Sequence, residues 1–274
     1  MGAELIDRRT TPIKLTPEGE RFRETAIGVL RDLYRDRDSF RRDISKLHAD
    51  VWIYGSTSIL VHFAPAWIDD MIARIGPFKA NMGTYGAYNM GAPTDMVMRL
   101  RQREIDLAMT YSHPDMTRYI DTEGFESKLI GTTPFRPYSG VADDGKPVYD
   151  LPGRADALVP TLNYAMDSIL TRAESLAIER SSAPLHLRSS HQSMAVDMLK
   201  NFAVMGRGIA WLPTFAIDLE LAAGKLVAIG DASLIIDLEI RLYKASGRSR
   251  DVVDKMWKIL EKNGAETLHD AKIA

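Results

Sequence analysis

Apolar residues in the first part of the chain recur at a spacing of seven, with two more at a spacing of four. The positions are Ala26, Leu30, Leu33, Phe40, Ile44 and Leu47. Arg37 stands where a further apolar residue was due, and charged residues of both signs fill the other positions. This pattern predicts a long helix whose narrow apolar face pairs with a helix of a second chain. The alternative is a solvated helix that packs on its own domain.

The start of this helix is indicated by its capping residues. Thr16 is a good N-cap, and Pro17 suits the first helical position. Glu18 and Glu20 place negative charge at the positive end of the helix dipole. A helix over residues 16–47 would be roughly 45–50 Å long at a rise of 1.5 Å per residue.

Strand and helix patterns alternate along the rest of the chain, which predicts an α/β protein. We expect Pro65 to interrupt the first helix of this region. The predicted strands lie near residues 50–55, 78–82, 103–110, 129–134, 138–142, 157–162, 185–188, 209–213, 225–228 and 237–244. The predicted helices lie near residues 59–75, 94–101, 168–178, 190–205 and 251–263.

Composition narrows the possible functions. Among the 274 residues there is no cysteine, which excludes disulfides, thiolate zinc sites and cysteine-based redox sensing. The net charge of −2 argues against DNA binding by most of the chain. Arg8, Arg9 and Lys14 are a local basic group that would contact DNA phosphates, or else a solvated turn.

The sequence lacks the features of membrane proteins, of secreted proteins and of common enzyme classes. No run of about 18 apolar residues is present and the N-terminus is not a signal peptide, so we expect no membrane contact and a cytoplasmic location. Motifs of serine hydrolases and of zinc proteases are absent, and the six histidines lack the spacing of metal ligands. We therefore expect no enzyme, no metal and no cofactor.

Several motifs resemble LysR-type transcriptional regulators over essentially the whole chain. ELIDRR at residues 4–9 followed by LTPEG at residues 15–19 is similar to the end of the family's winged helix-turn-helix. IDLA at residues 105–108 and GIAWLP at residues 208–213 are similar to its effector domain. Asn163-Tyr164, taken with GIAWLP and with GKLV at residues 224–227, resembles the hypochlorite-responsive branch.

The resemblance implies the domain organisation. Residues 1–15 would be a remnant of the DNA-binding wing, since the recognition helix would precede Met1. Residues 16–48 would be the dimerising linker helix. Residues 49–274 would form a two-lobed effector-binding domain of periplasmic-binding-protein type. Its first lobe would comprise about residues 50–133 and 234–274, and its second about residues 134–233.

The implied partners are double-stranded DNA, a small-molecule or oxidant effector, and further copies in a homodimer or homotetramer. An effector in the cleft between the lobes would change the spacing of two DNA-binding heads. Two alternatives stay open. One is a truncated module that does not bind DNA and acts by pairing with intact subunits. The other is a solute-binding protein.

Candidate effector-binding residues follow from the expected cleft. Ligands of open α/β sheets bind at the carboxyl ends of strands, where helix N-termini and hydroxyls hold small anions. Such positions are occupied by Ser56, Thr57, Ser58, Thr110, Tyr111, Tyr164, Asp167 and Ser168. Ordinary helix capping is the alternative for the serines and threonines.

Methionine is the remaining sulfur-containing residue. Oxidation makes its apolar side chain polar and would bias a two-state protein, which makes Met194, Met198 and Met205 candidate redox sensors. The alternative is that methionines fill irregular gaps in the core.

Overall fold

The computed structural model describes residues 4–7, 14–23, 25–26, 49–84, 93–116, 124–165 and 168–262. The chain divides into two compact units, residues 1–49 and 50–274. The boundaries of the predicted domains and lobes stay predictions.

The first unit contains a short antiparallel pair of strands, β1 (Ile6–Asp7) and β2 (Lys14–Leu15). Helix α1 follows and is described at residues 17–23 and 25–26. The predicted N-cap is confirmed, because the Thr16 hydroxyl accepts a hydrogen bond of 2.9 Å from the Gly19 amide. The apolar heptad positions after Ala26 lie outside the described residues, as do Arg8 and Arg9.

The second unit is built on a seven-stranded mixed sheet. Its strands are β3 (Val51–Gly55), β4 (Ala80–Thr84), β5 (Leu107–Ser112), β6 (Phe125–Gly140), β9 (Ala210–Pro213), β10 (Leu226–Ala228) and β11 (Ile236–Ala245). They are ordered β10-β6-β11-β5-β3-β4, and β9 also pairs with β6. β3 pairs in parallel with β4 and β5, whereas β6 and β11 are antiparallel. Every residue of β5 is buried, as expected for a central strand.

A smaller parallel sheet consists of β7 (Val159–Tyr164) and β8 (Leu187–Ser193). A bridge between Thr161 and Ile209 connects β7 to the turn before β9. The helices of the second unit are α2 (Ala64–Ile75), α3 (Pro93–Arg101), α4 (Ile169–Glu179), α5 (Val196–Val204), α6 (Asp218–Ala222) and α7 (Asp251–Lys262). The predicted alternation of strands and helices is thus confirmed in outline.

β6 differs from the prediction of two separate strands. It runs through Pro134 and Pro137 as one element and changes its neighbours there. β11 pairs with β6 as far as Phe135, and from Phe135 onwards β6 pairs with β9 and then β10. Proline lacks an amide N–H, so it is tolerated where the ladder changes partner.

The predicted helix over residues 190–205 was wrong in its first part. Residues up to Ser193 belong to β8, and α5 begins at Val196. His191, Gln192 and Ser193 pair with β7, so backbone pairing overrides the helical spacing of the methionines. Met194 therefore lies outside the helix that contains Met198.

Candidate functional site

The carboxyl ends of β3 and β5 lie side by side in the larger sheet. Gly55 at the end of β3 is in register with Met109, so Ser58 and Tyr111 emerge at the same edge. The Ser58 hydroxyl and the Tyr111 hydroxyl are hydrogen-bonded at 2.8 Å, and both side chains are buried. Thr110 beside them is buried too, and its hydroxyl donates to the Tyr111 carbonyl at 3.4 Å.

The segment after β3 forms a π-helix, Ile59–Phe63, which runs directly into α2. Pro65 lies in the first turn of α2, so the irregularity expected there takes the form of a change from π to α hydrogen bonding, without a break in the helix. Ser58 does not cap this helix, because its hydroxyl contacts Tyr111 instead. The Ser56 carbonyl accepts from the Leu60 amide at 3.0 Å, and Thr57 is exposed.

Tyr164 ends β7 and is buried. Its hydroxyl donates to the Trp211 carbonyl in β9 at 2.9 Å, and its ring lies 6.1 Å from that of Phe135 in β6. This places the end of the smaller sheet against β6 and β9. Tyr111 at the end of β5 approaches the same region, because its ring packs on that of Phe215, which follows β9.

Two groups of aromatic rings lie near these strand ends, Phe63, Tyr111 and Phe215 in one and Phe135 and Tyr164 in the other, and we call the five together the aromatic cluster. Phe215 lies in the short 3-10 helix after β9, with its ring centroid 6.2 Å from Phe63 and 6.3 Å from Tyr111. Ring pairs at such distances pack favourably. The cluster joins the π-helix and four other elements.

Sequence analysis did not single out Phe63, Phe135 or Phe215. The signal for Phe135 is its alternation with Thr133 along β6, since both face the same buried side. Phe63 and Phe215 carry no such signal, because each is an ordinary apolar residue until the fold brings them together.

A buried polar chain runs beneath Tyr164. The Thr161 hydroxyl donates to the side-chain oxygen Oδ1 of Asn163 at 3.0 Å, and the side-chain nitrogen Nδ2 of Asn163 donates to Glu174 Oε1 at 2.7 Å. Burial raises the pKa of Glu174 to about 7, although the hydrogen bonds from Asn163 and from the Tyr164 amide oppose the rise. Burial, and then the nearby Tyr111, Glu174 and Asp197, raise the pKa of Tyr164 well above its usual value.

A network of charged side chains connects the π-helix to α5 and α6, and we call it the ionic network. His62 Nε2 lies 3.0 Å from Asp197 Oδ1. Lys200 Nζ lies 3.1 Å from Asp197 Oδ1 and 3.1 Å from Glu220 Oε1. Burial alone would raise the pKa of Asp197, but hydrogen bonds from Lys200 and His62 outweigh it and lower this pKa.

Ser168 is the N-cap of α4 and forms a capping box with Thr171. Its hydroxyl accepts from the Thr171 amide at 3.1 Å, which matches the capping alternative left open by the sequence. Asp167 lies outside the described residues. Lys14 lies in β2.

The three candidate redox methionines are exposed. The exposed fractions are 54% for Met194, 51% for Met198 and 68% for Met205. None of them is a core filler. Within the described part of the chain, no group of three or more histidine and carboxylate side chains is placed to hold a metal ion.

Comparisons with known proteins agree with this geometry. Residues 89–264, more than half of the chain, match the LysR substrate binding domain family. The Escherichia coli K12 regulator YjiE, described as HTH-type, is 25% identical over 262 residues, 95% of this chain and 80% of that protein. QseD of Escherichia coli O157:H7, described as an HTH domain-truncated transcriptional regulator, is 24% identical over 252 residues, 91% of this chain and 96% of that protein.

A solved structure extends the comparison to three dimensions. DarR of Vibrio fischeri, in complex with DNA, has a TM-score of 0.67 and 27% identity, covering 94% of this chain and 83% of that one. The fold is thus an α/β effector-binding domain of periplasmic-binding-protein type. The chain belongs to the LysR family of transcriptional regulators. Among the residues that the structure describes, no helix is long and apolar enough to cross a membrane.

The buried Glu174 predicts a pH-dependent stability. The native carboxyl, with a pKa of about 7, binds its proton more tightly than an unfolded carboxyl with a pKa of 4.5. The free energy of unfolding therefore falls as pH rises from 4.5 to about 7, by about 3 kcal/mol. Glu174→Gln, which mimics the neutral acid, removes this fall.

Urea unfolding of both proteins across this pH range measures the effect. Glu179→Gln, at an exposed position on the same helix, is the control and keeps the wild-type pH dependence. Parallel curves for the wild type and Glu174→Gln would show that Glu174 does not titrate in this range.

Proposed function

We propose that the second unit is the sensing domain of a DNA-binding regulator, and that its effector binds at the aromatic cluster. The observation that carries this proposal is that the ends of β3, β5 and β7 all approach β9 and the 3-10 helix after it, since Ser58 bonds to Tyr111, the Tyr111 ring packs on Phe215 and the Tyr164 hydroxyl donates to the Trp211 carbonyl. In this proposal lobe one comprises about residues 50–133 and 234–274, and lobe two about residues 134–233. Effector binding would change the angle between them.

The chemistry of the cluster favours an uncharged effector over the small anion expected from the sequence. Aromatic rings bind flat apolar groups, and hydroxyls provide donors and acceptors without charge. Glu174 and Asp197, the two acidic side chains that raise the pKa of Tyr164, disfavour a negative charge at its hydroxyl. The Ser168 hydroxyl, one of the expected anion ligands, caps its own helix.

DNA binding is proposed from the family and from DarR, which was solved with DNA. Arg8, Arg9 and Lys14 would contact phosphates, and helix α1 would pair subunits into a homodimer or homotetramer. Phosphate contacts position a protein on DNA without reading its sequence.

A second candidate function is supported by the similarity to QseD, whose description says that its HTH domain is truncated. In that case the chain would not bind DNA and would act by forming mixed oligomers with intact subunits. Family membership weighs against the third possibility, a solute-binding protein.

An oxidant effector is proposed from the resemblance to the hypochlorite-responsive branch and from three exposed methionines, Met194, Met198 and Met205. All three belong to α5 or its immediate flanks, and Asp197 of the ionic network belongs to the same helix. A sulfoxide there would add a polar group beside the contact between α5 and the π-helix.

The DNA proposal predicts a specific salt dependence. In fluorescence anisotropy with duplex DNA, the logarithm of the affinity falls linearly with the logarithm of the salt concentration. Replacing Arg8, Arg9 and Lys14 together by Gln lowers this slope by about 2–3, because each phosphate contact contributes about 0.9. The control replaces Lys146, Arg207 and Lys225, three exposed basic residues of the second unit, together by Gln and should leave the slope unchanged. If the wild-type chain binds no DNA at all, the mixed-oligomer function is favoured instead.

The effector proposal predicts a preference between matched probes. Benzamide should raise the melting temperature more than benzoate, which has the same shape and a negative charge. Tyr111→Phe keeps the ring and removes the hydroxyl, so it weakens benzamide binding by roughly fivefold, the equivalent of one hydrogen bond. Thermal shift titration measures both. A larger shift with benzoate would contradict the uncharged-effector proposal.

The oxidant proposal predicts which methionines matter. Limited hypochlorite should change DNA binding of the wild type, and the triple Met→Leu variant at positions 194, 198 and 205 should lose this response. Met82→Leu/Met98→Leu is the control, since these side chains are exposed elsewhere. Fluorescence anisotropy measures the DNA binding, and mass spectrometry measures which methionines have become sulfoxides. A response that survives in the triple variant would remove these residues from sensing.

A further inference from the structure

We propose that His62 and Asp197 form a latch that couples the aromatic cluster to the position of α5. The effector that would operate the latch rests on the proposed function, but the latch itself is a property of the unliganded protein. His62 comes from the π-helix after β3, and Asp197 from the first turn of α5, so their contact of 3.0 Å joins elements far apart in the chain.

The first end of the latch is tied to the cluster through the backbone. His62 directly precedes Phe63, whose ring packs on Phe215. Phe63 also lies tightly against β6, because a Cβ atom added at Gly131 would be 2.7 Å from its ring. Phe63 cannot change its place without moving its backbone, and His62 would move with it.

The π-helix that contains His62 can change its hydrogen bonding. A π-helix has one more residue per hydrogen-bonded turn than an α-helix, and such segments are rare and often functional. The Ala64 amide bonds to the Ile59 carbonyl in this wider pattern. A shift to α-helical bonding would remove the extra residue of the turn, so the side chains of the segment, that of His62 among them, would rotate by about 100° relative to the residues that follow. Such a rotation would take His62 away from Asp197.

The second end of the latch also returns to the cluster. Asp197 is held by Lys200, which is held in turn by Glu220 of α6. The Lys200 ammonium also donates to the Ala216 carbonyl at 3.5 Å, and Ala216 directly follows Phe215. His62 is thus a chain neighbour of Phe63, and Lys200 is bonded to the chain neighbour of Phe215. A ligand that separates the Phe63 and Phe215 rings would displace His62 through the backbone and Lys200 through Ala216.

The latch is partly exposed, which suits a contact that must open. The side chains of His62 and Asp197 are 21% and 38% exposed, whereas that of Lys200 is 11% exposed. Partly exposed pairs contribute little to stability, so this contact would break at small cost. The buried Lys200 keeps Asp197 in place on α5 meanwhile.

The experiment measures a distance in the unliganded protein. The chain has no cysteine, so Asp69→Cys on α2 and Asn201→Cys on α5, both exposed, accept spin labels at defined positions. With the latch intact, pulsed electron resonance should give one narrow distance distribution. Asp197→Asn and His62→Leu should each broaden it. Adding His62→Leu to Asp197→Asn should broaden it no further, since Asp197→Asn, which also weakens the contact with Lys200, has already opened the latch.

Hydrogen exchange of the α5 amides provides a second readout. His62→Leu should speed it about three- to fivefold, the effect of losing one partly exposed hydrogen bond, and Asp197→Asn should speed it at least as much. Asp143→Asn, which removes an exposed carboxylate from a loop, is the matched control and should leave distance and exchange at wild-type values.

Distance distributions that superimpose for the wild type, Asp197→Asn and His62→Leu would overturn the latch. So would broadening that is additive in the double variant, because the two residues would then act separately. Both readouts are taken without DNA or effector. A failure of the latch is therefore distinguishable from a failure of the DNA or benzamide experiments.

Discussion

The structure depends on a single strand, β6, which belongs to two different ladders. Over its first part it pairs with β11 beside the buried strand β5, and over its last part it pairs with β9 and β10. Because a paired strand cannot shift its register without turning its side chains to the other face, this arrangement fixes where Phe135 points. Phe135 then positions the Tyr164 ring, and through it the end of the smaller sheet.

The aromatic cluster is stable because its polar groups are satisfied within the protein. The Tyr164 hydroxyl donates a hydrogen bond to the Trp211 carbonyl, and the Tyr111 hydroxyl is hydrogen-bonded to the Ser58 hydroxyl. An unpaired hydroxyl in such a place would cost about 1–3 kcal/mol. The polar groups of the cluster are therefore held in place by partners within the protein.

Charge is arranged differently around the cluster than within it. Rings and hydroxyls occupy the centre, whereas His62, Asp197, Lys200 and Glu220 form a connected network at one side. Charged groups keep their hydration at a partly exposed position and lose it in a buried one. This separation keeps the charged groups partly hydrated and leaves the cluster itself to uncharged rings and hydroxyls.

Local patterns in the sequence determined much of this protein. The capping threonine, the irregularity at Pro65, the alternation of strands and helices and the LysR motifs could all be read from neighbouring residues, because helix and strand periods are local properties. Tertiary structure alone decided the rest. Pairing with β7 made residues up to Ser193 a strand, and the change of partners at Phe135 made β6 continuous. Segments that are distant in the chain bring Phe63 and Tyr111 into contact with Phe215, and His62 into contact with Asp197. These contacts could not be predicted, because a local pattern does not indicate which distant side chains will touch.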